Sequence, residues 1–255
     1  MQLRIFLLSA PLLAAFMTVN AQNTQPRNEI EVRGAFAIPS GEASFSSNGD
    51  EGTVIDFSRD FDLKTEFGFL VRFTHRTENG KHKLLGEYGQ TKWNRTTSLS
   101  RSFTFLGQTY VANLDASADL RLRDFRVMYA YRWGDDKIRI GPMVDMGIVS
   151  TKLDLTGTTN NGTRSDSGKI TKFAATIGYD LDYDPTPQVN IFHNLGAIAF
   201  QGERLFHTEG GVKFFVTRQF GVSAGYKALR YRVEKNDNFI LVRAHGPFFG
   251  GVFRF

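Results

Sequence analysis

Long stretches of strict two-residue alternation constrain this chain more than any other feature of its sequence. From Glu29 to the last residue, Phe255, apolar residues recur at every second position in one segment after another. A period of two places successive side chains on opposite faces of a β-strand. The chain is therefore predicted to be all-β, with an apolar face and a polar face on most strands.

The C-terminal segment, residues 239–255, shows this pattern most clearly. One row of alternate residues ends in Phe253 and Phe255, and the other ends in Val252 and Arg254. On a water-soluble domain, a terminal strand with an aromatic face would leave an exposed apolar edge. In a closed barrel within a bilayer, the last strand pairs with the first and its aromatic residues lie at the membrane boundary.

The alternation predicts ten strands, with roughly eight to twelve possible, in a transmembrane antiparallel up-and-down β-barrel closed by pairing of the first and last strands. The predicted strands cover approximately residues 29–38, 64–75, 82–94, 116–133, 137–154, 169–183, 189–200, 205–216, 220–233 and 239–255. Long polar loops are predicted at 39–63, 95–115 and 155–168, and short turns at 76–81, 134–136, 184–188 and 217–219. Long outer loops alternating with short periplasmic turns are typical of bacterial barrels, whereas a soluble β-sandwich, the main competing fold, needs no such aromatic rows.

Two predicted strands leave their phase open. In the strand at 116–133, Leu120 and Leu122 are out of phase with the aromatic row that begins at Phe125. This indicates either a bulge or a strand that projects beyond the bilayer. In the strand at 189–200, either choice of phase turns one polar residue, His193 or Asn194, toward lipid.

The N-terminus has the features of a secretory signal. Arg4 precedes an apolar run over residues 5–17, and small residues at 19–21 offer a cleavage site. The run is too short for a helical anchor. Residues 1–21 are therefore predicted to be removed, leaving 22–255 as a single barrel domain.

Composition argues against several other classes of protein. The chain has no cysteine, which excludes disulfides and thiolate metal sites. Its net charge of +5 comes from basic residues scattered among acidic ones, which does not favour nucleic-acid binding. The loops lack an ordered calcium-binding register, so neither a metal nor a cofactor is predicted.

The terminal run Gly250–Phe255, together with the alternation before it, resembles the small bacterial outer-membrane barrels of the OmpA type over the whole mature chain. This resemblance implies an outer-membrane location with both termini in the periplasm. It implies contact with outer-membrane lipid and lipopolysaccharide, and binding by periplasmic chaperones before assembly. It also implies recognition of Phe253 and Phe255 by the barrel-assembly machinery. It implies no particular activity.

The rows predicted to face inward carry charges of both signs: Arg72, Glu87, Arg126, Arg132, Arg139, Asp145, Lys172, Asp180, Glu209, Lys213, Lys227, Arg243 and Arg254. A barrel of about ten strands has a narrow interior, and buried charges must be paired. The predicted function is therefore an integral outer-membrane barrel with a largely charge-filled lumen and a structural, surface-binding or limited solute-passage role.

Two alternatives stay open. One is a small porin-like channel, and the other is a hydrolase at the barrel rim acting on lipid A, phospholipid or peptide. His207 and Glu209 are its weak catalytic candidates, because they share a strand face near an outer loop. The ten-stranded outer-membrane proteases, the omptins, place paired Asp residues and an Asp–His couple at the rim, and here Asp115, Asp119 and Asp124 give only a partial match.

Overall fold

The computed structural model describes residues 27–47, 51–200, 203–235 and 238–255, so the predicted signal sequence lies outside the described residues. The described part of the chain is all-β and has no helix long and apolar enough to cross a bilayer. Its strands are β1 Asn28–Ser44, β2 Ile55–Asp56, β3 Glu66–Arg76, β4 His82–Ser98, β5 Phe103–Phe105, β6 Gln108–Tyr110, β7 Asp115–Tyr131, β8 Trp133–Gly134, β9 Ile138–Thr159, β10 Gly162–Thr186, β11 Val189–Phe200, β12 Glu203–Phe215, β13 Phe220–Lys235 and β14 Asn238–Arg254.

Ten of these strands form a closed antiparallel ring. Its order is β1, β3, β4, β7, β9, β10, β11, β12, β13, β14, and β14 pairs back to β1. Val32 lies opposite Gly251 at this closure. The predicted ten-stranded up-and-down barrel, closed by its first and last strands, is confirmed. The short strands β2, β5, β6 and β8 are additions outside the ring.

The two ends of the barrel differ, and we name them the turn end and the loop end. At the turn end, the backbone N–H of Asn28 donates to the carbonyl of Phe255 at 3.0 Å, and short turns join β3 to β4, β10 to β11 and β12 to β13. At the loop end, the connections that follow β1 and β4 contain β2, β5 and β6.

The predicted loops are longer than the real ones. The prediction of a loop at 155–168 is wrong, because β9 continues to Thr159 and β10 begins at Gly162. The two strands stay in register from this turn down to Ile138, which lies opposite Tyr183. The polar Thr and Ser residues of this stretch keep the period of two, and Gly162 provides the positive φ (96°) for the tight turn. The loops at 39–63 and 95–115 are likewise shortened, since β1 reaches Ser44 and β4 reaches Ser98.

The structure shows which residues face inward on the two strands whose phase the sequence left undecided, and the first of them, β7, contains no bulge. Burial alternates along the whole of β7, so Leu120 and Leu122 lie inside the barrel on the same face as Arg126. The strand therefore projects beyond the apolar belt, which was the second alternative. In β11, Asn194 is buried inside and His193 faces outward.

An apolar belt surrounds the turn-end half of the barrel. Exposed side chains such as Val144 and Phe125 are 45% and 49% exposed. On β9 the belt runs from Ile138 to Ile148, which matches the roughly 9–11 residues that a tilted strand needs to cross the hydrocarbon layer. Outward residues farther along β9, such as Thr156, are polar.

The interior changes in the opposite sense. Inside the belt the barrel holds charged residues, whereas beyond the belt it holds a hydrophobic core. This core is fully buried and joins the ring strands to the loop segments; its members include Ile55, Phe57, Phe61, Trp93, Phe105, Tyr110, Leu120, Leu153, Leu155 and Val233. The barrel thus consists of an ionic half at the turn end and an apolar half at the loop end.

Candidate functional site

The centre of the ionic half is the carboxylate of Glu87 on β4. Lys227 donates to it at 2.7 Å, Arg72 donates to it through Nε at 2.9 Å, and Arg126 also bonds to it. These partners come from β13, β3 and β7, so one side chain joins walls on different sides of the lumen. Three cations around one buried carboxylate make Glu87 an electrostatic hub.

A second carboxylate, Glu209 on β12, extends the network. It accepts hydrogen bonds from Arg72 at 2.7 Å and from Arg33 at 2.5 Å. Arg33 also binds Glu31 in a two-point pair on β1, and its guanidinium lies 4.2 Å from the ring centre of Phe248. Each of these charges therefore has a partner of opposite sign, as a low-dielectric interior requires.

A further group of charges closes the lumen at the turn end. Lys83 donates to Asp180 at 2.9 Å and to Asp182 at 3.2 Å, and Arg132 bonds to the same Asp182. On the other side, Lys213 and Arg254 both pair with Glu29. The carboxylates and cations of the lumen alternate in space, so the interior is crosslinked rather than open.

Most of the predicted lumen residues lie in this network, and three do not lie at its centre. Arg139 is at the turn-end rim, where it bonds to Asp136 at 3.2 Å. Lys172 faces inward and is half-buried. The prediction for Arg243 was wrong, because its side chain is exposed on the outer wall. Lys83 and Arg76 were missed, although their inward parity on β4 and β3 could have identified them.

His207 and Glu209 both face the lumen but do not bond to each other. His207 is 2% exposed, and its Nε2 lies 2.6 Å from Asp145 Oδ2 and 3.2 Å from Thr176 Oγ1. Both contacts use the same ring nitrogen, and Nδ1 has no hydrogen-bond partner among the described residues. A proton relay needs the base to use its two nitrogens for different partners, so this arrangement does not have triad geometry.

The three aspartates at the start of β7 do not converge. Asp115 is exposed, Asp119 faces outward and pairs with Lys92 at 2.6 Å, and Asp124 is buried in the lumen near Lys227. No group of three or more described His, Asp or Glu side chains is placed to hold a metal ion.

The loop-end opening is covered by the connections after β1 and β4. Asp60 accepts hydrogen bonds from Arg101 at 2.7 and 3.0 Å and from Arg59 at 3.0 Å, which ties the two connections together. Burial raises the pKa of Asp60, but the bonds from Arg101 and Arg59 outweigh burial and hold that pKa well below the usual range of an aspartate. Below this tie, Phe103 stacks on Tyr110 inside the hydrophobic core.

A small cavity of about 60 Å³ lies between the two halves. Asp124 and Lys227 line its ionic side, and Leu70, Leu122 and Leu229 line its apolar side. This volume holds only a few water molecules. The pocket lies at the junction of the halves, and Phe36, Phe69 and His245 of the outer wall also line it.

The fold has counterparts among solved structures. The outer-membrane protease OmpT from Escherichia coli superposes with a TM-score of 0.59 at 10% identity, over 91% of this chain and 98% of that one. The chain has the fold of an outer-membrane β-barrel. The translocator domain of the autotransporter NalP from Neisseria meningitidis gives 0.47 at 10% identity over 90% of this chain and 89% of that one.

The attachment protein Ail from Yersinia pestis gives a TM-score of 0.36 at 11% identity, over 89% of this chain and 99% of that one. No protein-family profile matches the chain, and no curated protein matches its sequence. At these identities the likeness concerns the fold alone.

Proposed function

We propose that this protein is an integral protein of the bacterial outer membrane, with the turn end in the periplasm, and that its sealed barrel anchors and presents the loop-end surface. The apolar belt supports the membrane location, because exposed apolar area of this extent on a ring is matched only by lipid. The short turns at one end and the longer connections at the other support the orientation.

The observation that carries the proposal is the filled interior. A solute entering from the turn end meets the ion pairs around Glu29 and Asp182, then those around Glu87. Beyond them it meets a dry core in which Trp93 and Leu120 have no exposed surface. A barrel of this kind is suited to anchoring and surface presentation rather than to conduction.

The loop-end surface is the part available to a partner. The β9–β10 hairpin forms a polar tip with Thr156, Arg164 and Ser165 exposed. The tie between Asp60 and Arg101 fixes the neighbouring connections. This rigid surface suits the docking of a polar partner outside the membrane.

Planar-bilayer recording tests the sealed lumen. Purified mature protein should give no conductance steps at protein loads at which a known porin, the positive control, gives many. Regular steps of uniform size from the wild-type protein would contradict the proposal and support the porin-like channel.

Cell fractionation tests the location independently. The mature protein should separate with the outer membrane and should migrate differently on gels before and after heating, as closed barrels do. Recovery in the soluble periplasmic fraction would contradict the membrane proposal whatever the conductance result.

A further inference from the structure

The outer wall formed by β12, β13 and β14 carries a group of arginines directly above the apolar belt. Arg204, Arg230 and Arg243 are all exposed on this face. Each lies one outward position nearer the loop end than the last apolar or aromatic outward residue of its strand, such as Phe206 on β12 and His245 on β14. The group therefore lies where the hydrocarbon layer ends and lipid headgroups begin.

The register places these arginines against one another. Arg230 is directly opposite Arg243 in the β13–β14 ladder, and Arg204 is directly opposite Arg232 in the β12–β13 ladder. Like charges in directly opposed positions destabilise a sheet. Arg232 is compensated by Glu234 at 2.8 Å, whereas the other three have no ion-pair partner within the part of the chain that the structure describes.

Elsewhere the same boundary looks different. Ser150 and Thr171, which form the boundary on β9 and β10, bond to each other at 2.9 Å. On the far wall, Arg123 of β7 donates to Gln90 of β4 at 2.8 Å. Cations also oppose one another on β7, β9 and β10, where Lys152 lies opposite Arg121 and Lys169, but there Arg121 pairs with Asp119 and Lys152 with Asp154. The β12–β14 group differs in that three of its four arginines have no acidic partner among the described residues.

A groove adjoins the arginines. The β10–β11 ladder ends at Ile177 opposite Ala197, whereas the β11–β12 ladder continues upward to Phe200 opposite Glu203. The wall is open above Ile177, and a groove of about 580 Å³ lies there. Ile177 is 70% exposed at its floor, and Ala197, Arg204, Phe206 and Arg230 line the groove from the outer face. Ile198 and Leu205, which lie opposite each other on the inner face, line it through the opening in the wall.

We propose that this groove binds a membrane lipid with a phosphate headgroup. The phosphate lies between Arg204, Arg230 and Arg243, and an acyl chain lies along Ile177 and Phe206. Guanidinium groups bind phosphate oxygens through paired charge-assisted hydrogen bonds, and the anion offsets the repulsion between the opposed arginines. The inference goes beyond the anchoring role and rests on the barrel lying in a membrane.

The test measures binding of dioleoyl phosphatidic acid to the purified mature protein in neutral detergent micelles, with dioleoyl phosphatidylcholine as the zwitterionic reference lipid. The triple variant R204Q/R230Q/R243Q should bind phosphatidic acid at least about tenfold more weakly, a loss of about 1.4 kcal/mol. Its binding of phosphatidylcholine should be unchanged. The control R121Q/R123Q/K92Q removes the same charge from the same boundary on the far wall and should change phosphatidic acid binding by less than about twofold.

Two further measurements separate the possible sources of an effect. Inorganic phosphate in excess should not displace phosphatidic acid, since it lacks the acyl chain, and Ile177→Ser should weaken phosphatidic acid binding without a change in charge. In lipid-free micelles the R204Q/R230Q/R243Q variant should unfold at the same urea concentration as the wild type or a higher one, because a repulsion has been removed.

Four results would overturn the proposal. They are equal losses in both triple variants, no preference of the wild type for phosphatidic acid, complete displacement by inorganic phosphate, and no effect of Ile177→Ser. None of them bears on fractionation or conductance, so a failure here is distinct from a failure of the anchoring role.

Discussion

The ionic half and the apolar half of the barrel are made from the same strands with opposite distributions of polarity. On β7, Arg126 lies inside and Phe125 outside in the ionic half, whereas Leu120 lies inside and Arg121 outside in the apolar half. The strand alternates without interruption between them, so its geometry is constant. With the barrel placed in the outer membrane as proposed, what changes is the surrounding solvent, which is lipid around one half and water around the other.

The two halves consequently depend on different interactions. In the ionic half the outward apolar residues face lipid, so burial of apolar surface contributes little to stability there. The interior of this half is organised by paired charges whose loss is costly. In the apolar half, burial of Trp93, Leu153 and their neighbours removes apolar surface from water, as in a soluble protein. Substitutions matched in position but placed in different halves should therefore have different effects.

The largest effect is expected for the hub of the ionic half. Glu87→Gln leaves Arg72, Arg126 and Lys227 without their shared counter-charge and should lower the free energy of unfolding by about 3–5 kcal/mol. Urea unfolding in lipid vesicles measures this loss. The control Asp154→Asn breaks a partly exposed pair with Lys152 and should cost about 1 kcal/mol or less; similar losses in the two variants would show that the lumen charges are effectively solvated.

A cavity in the apolar half should have the next largest effect. Leu153 has no exposed surface, and Leu153→Ala should cost about 2–5 kcal/mol through lost burial and the space left behind. Thr156→Ala, at an exposed outward position of the same strand, should change stability by about 0.5 kcal/mol or less. A loss below about 1 kcal/mol for Leu153→Ala would mean that the loop-end interior is not packed.

A charged substitution on the outer wall distinguishes positions that face lipid from positions that face water. Val144 and Thr156 face outward on β9, one within the belt and the other beyond it. Val144→Lys should cost about 2–4 kcal/mol in lipid vesicles, as expected for a cation near the bilayer centre. Thr156→Lys faces water and should be within about 0.5 kcal/mol of the wild type, and equal costs would place the bilayer boundary elsewhere.

The smallest effect is local and depends on pH. Because the pKa of Asp60 is lowered on folding, the stabilisation it gives is complete above its unfolded pKa of about 3.9 and is lost as the pH falls through the folded value. Hydrogen exchange of residues 55–63, corrected for the intrinsic pH dependence of amide exchange, should be constant from about pH 7 to 5 and faster below about pH 4.

Asp60→Asn should accelerate this exchange at neutral pH and remove its dependence on acid. Asp62→Asn, at an exposed neighbouring position paired with Lys64, should leave it unchanged. An exchange profile of Asp60→Asn identical to that of the wild type would show that the tie to Arg101 does not hold the two connections together.

Much of the fold followed from alternation alone, because a period of two is a local property that barrel closure preserves. It predicted ten strands and the closure that places Val32 opposite Gly251. It failed where local composition hides the period. The stretch 155–168 reads as a polar loop because its outward face meets water, and the phase of Arg243 is hidden by the consecutive apolar residues at 239–242.

The candidate site was less predictable than the fold. The inward charges could be identified by parity, but their partners could not, since they come from strands far apart in the chain. Glu209 bonds to Arg33, 176 residues away, and His207 meets Asp145 rather than its strand neighbour. Such pairs depend on tilt and register around the closed ring, which a single sequence does not reveal.

The change of solvent along a single strand is the central claim, and site-directed spin labelling of β9 tests it most directly. The chain has no cysteine, so single cysteines at positions 140, 144, 148, 152, 153 and 156 can be labelled without background. In lipid vesicles, labels at 140, 144 and 148 should be accessible to oxygen dissolved in lipid, and labels at 152 and 156 to an aqueous nickel complex. The label at 153 should be accessible to neither, and lipid access at 156 or water access at 153 would contradict the account.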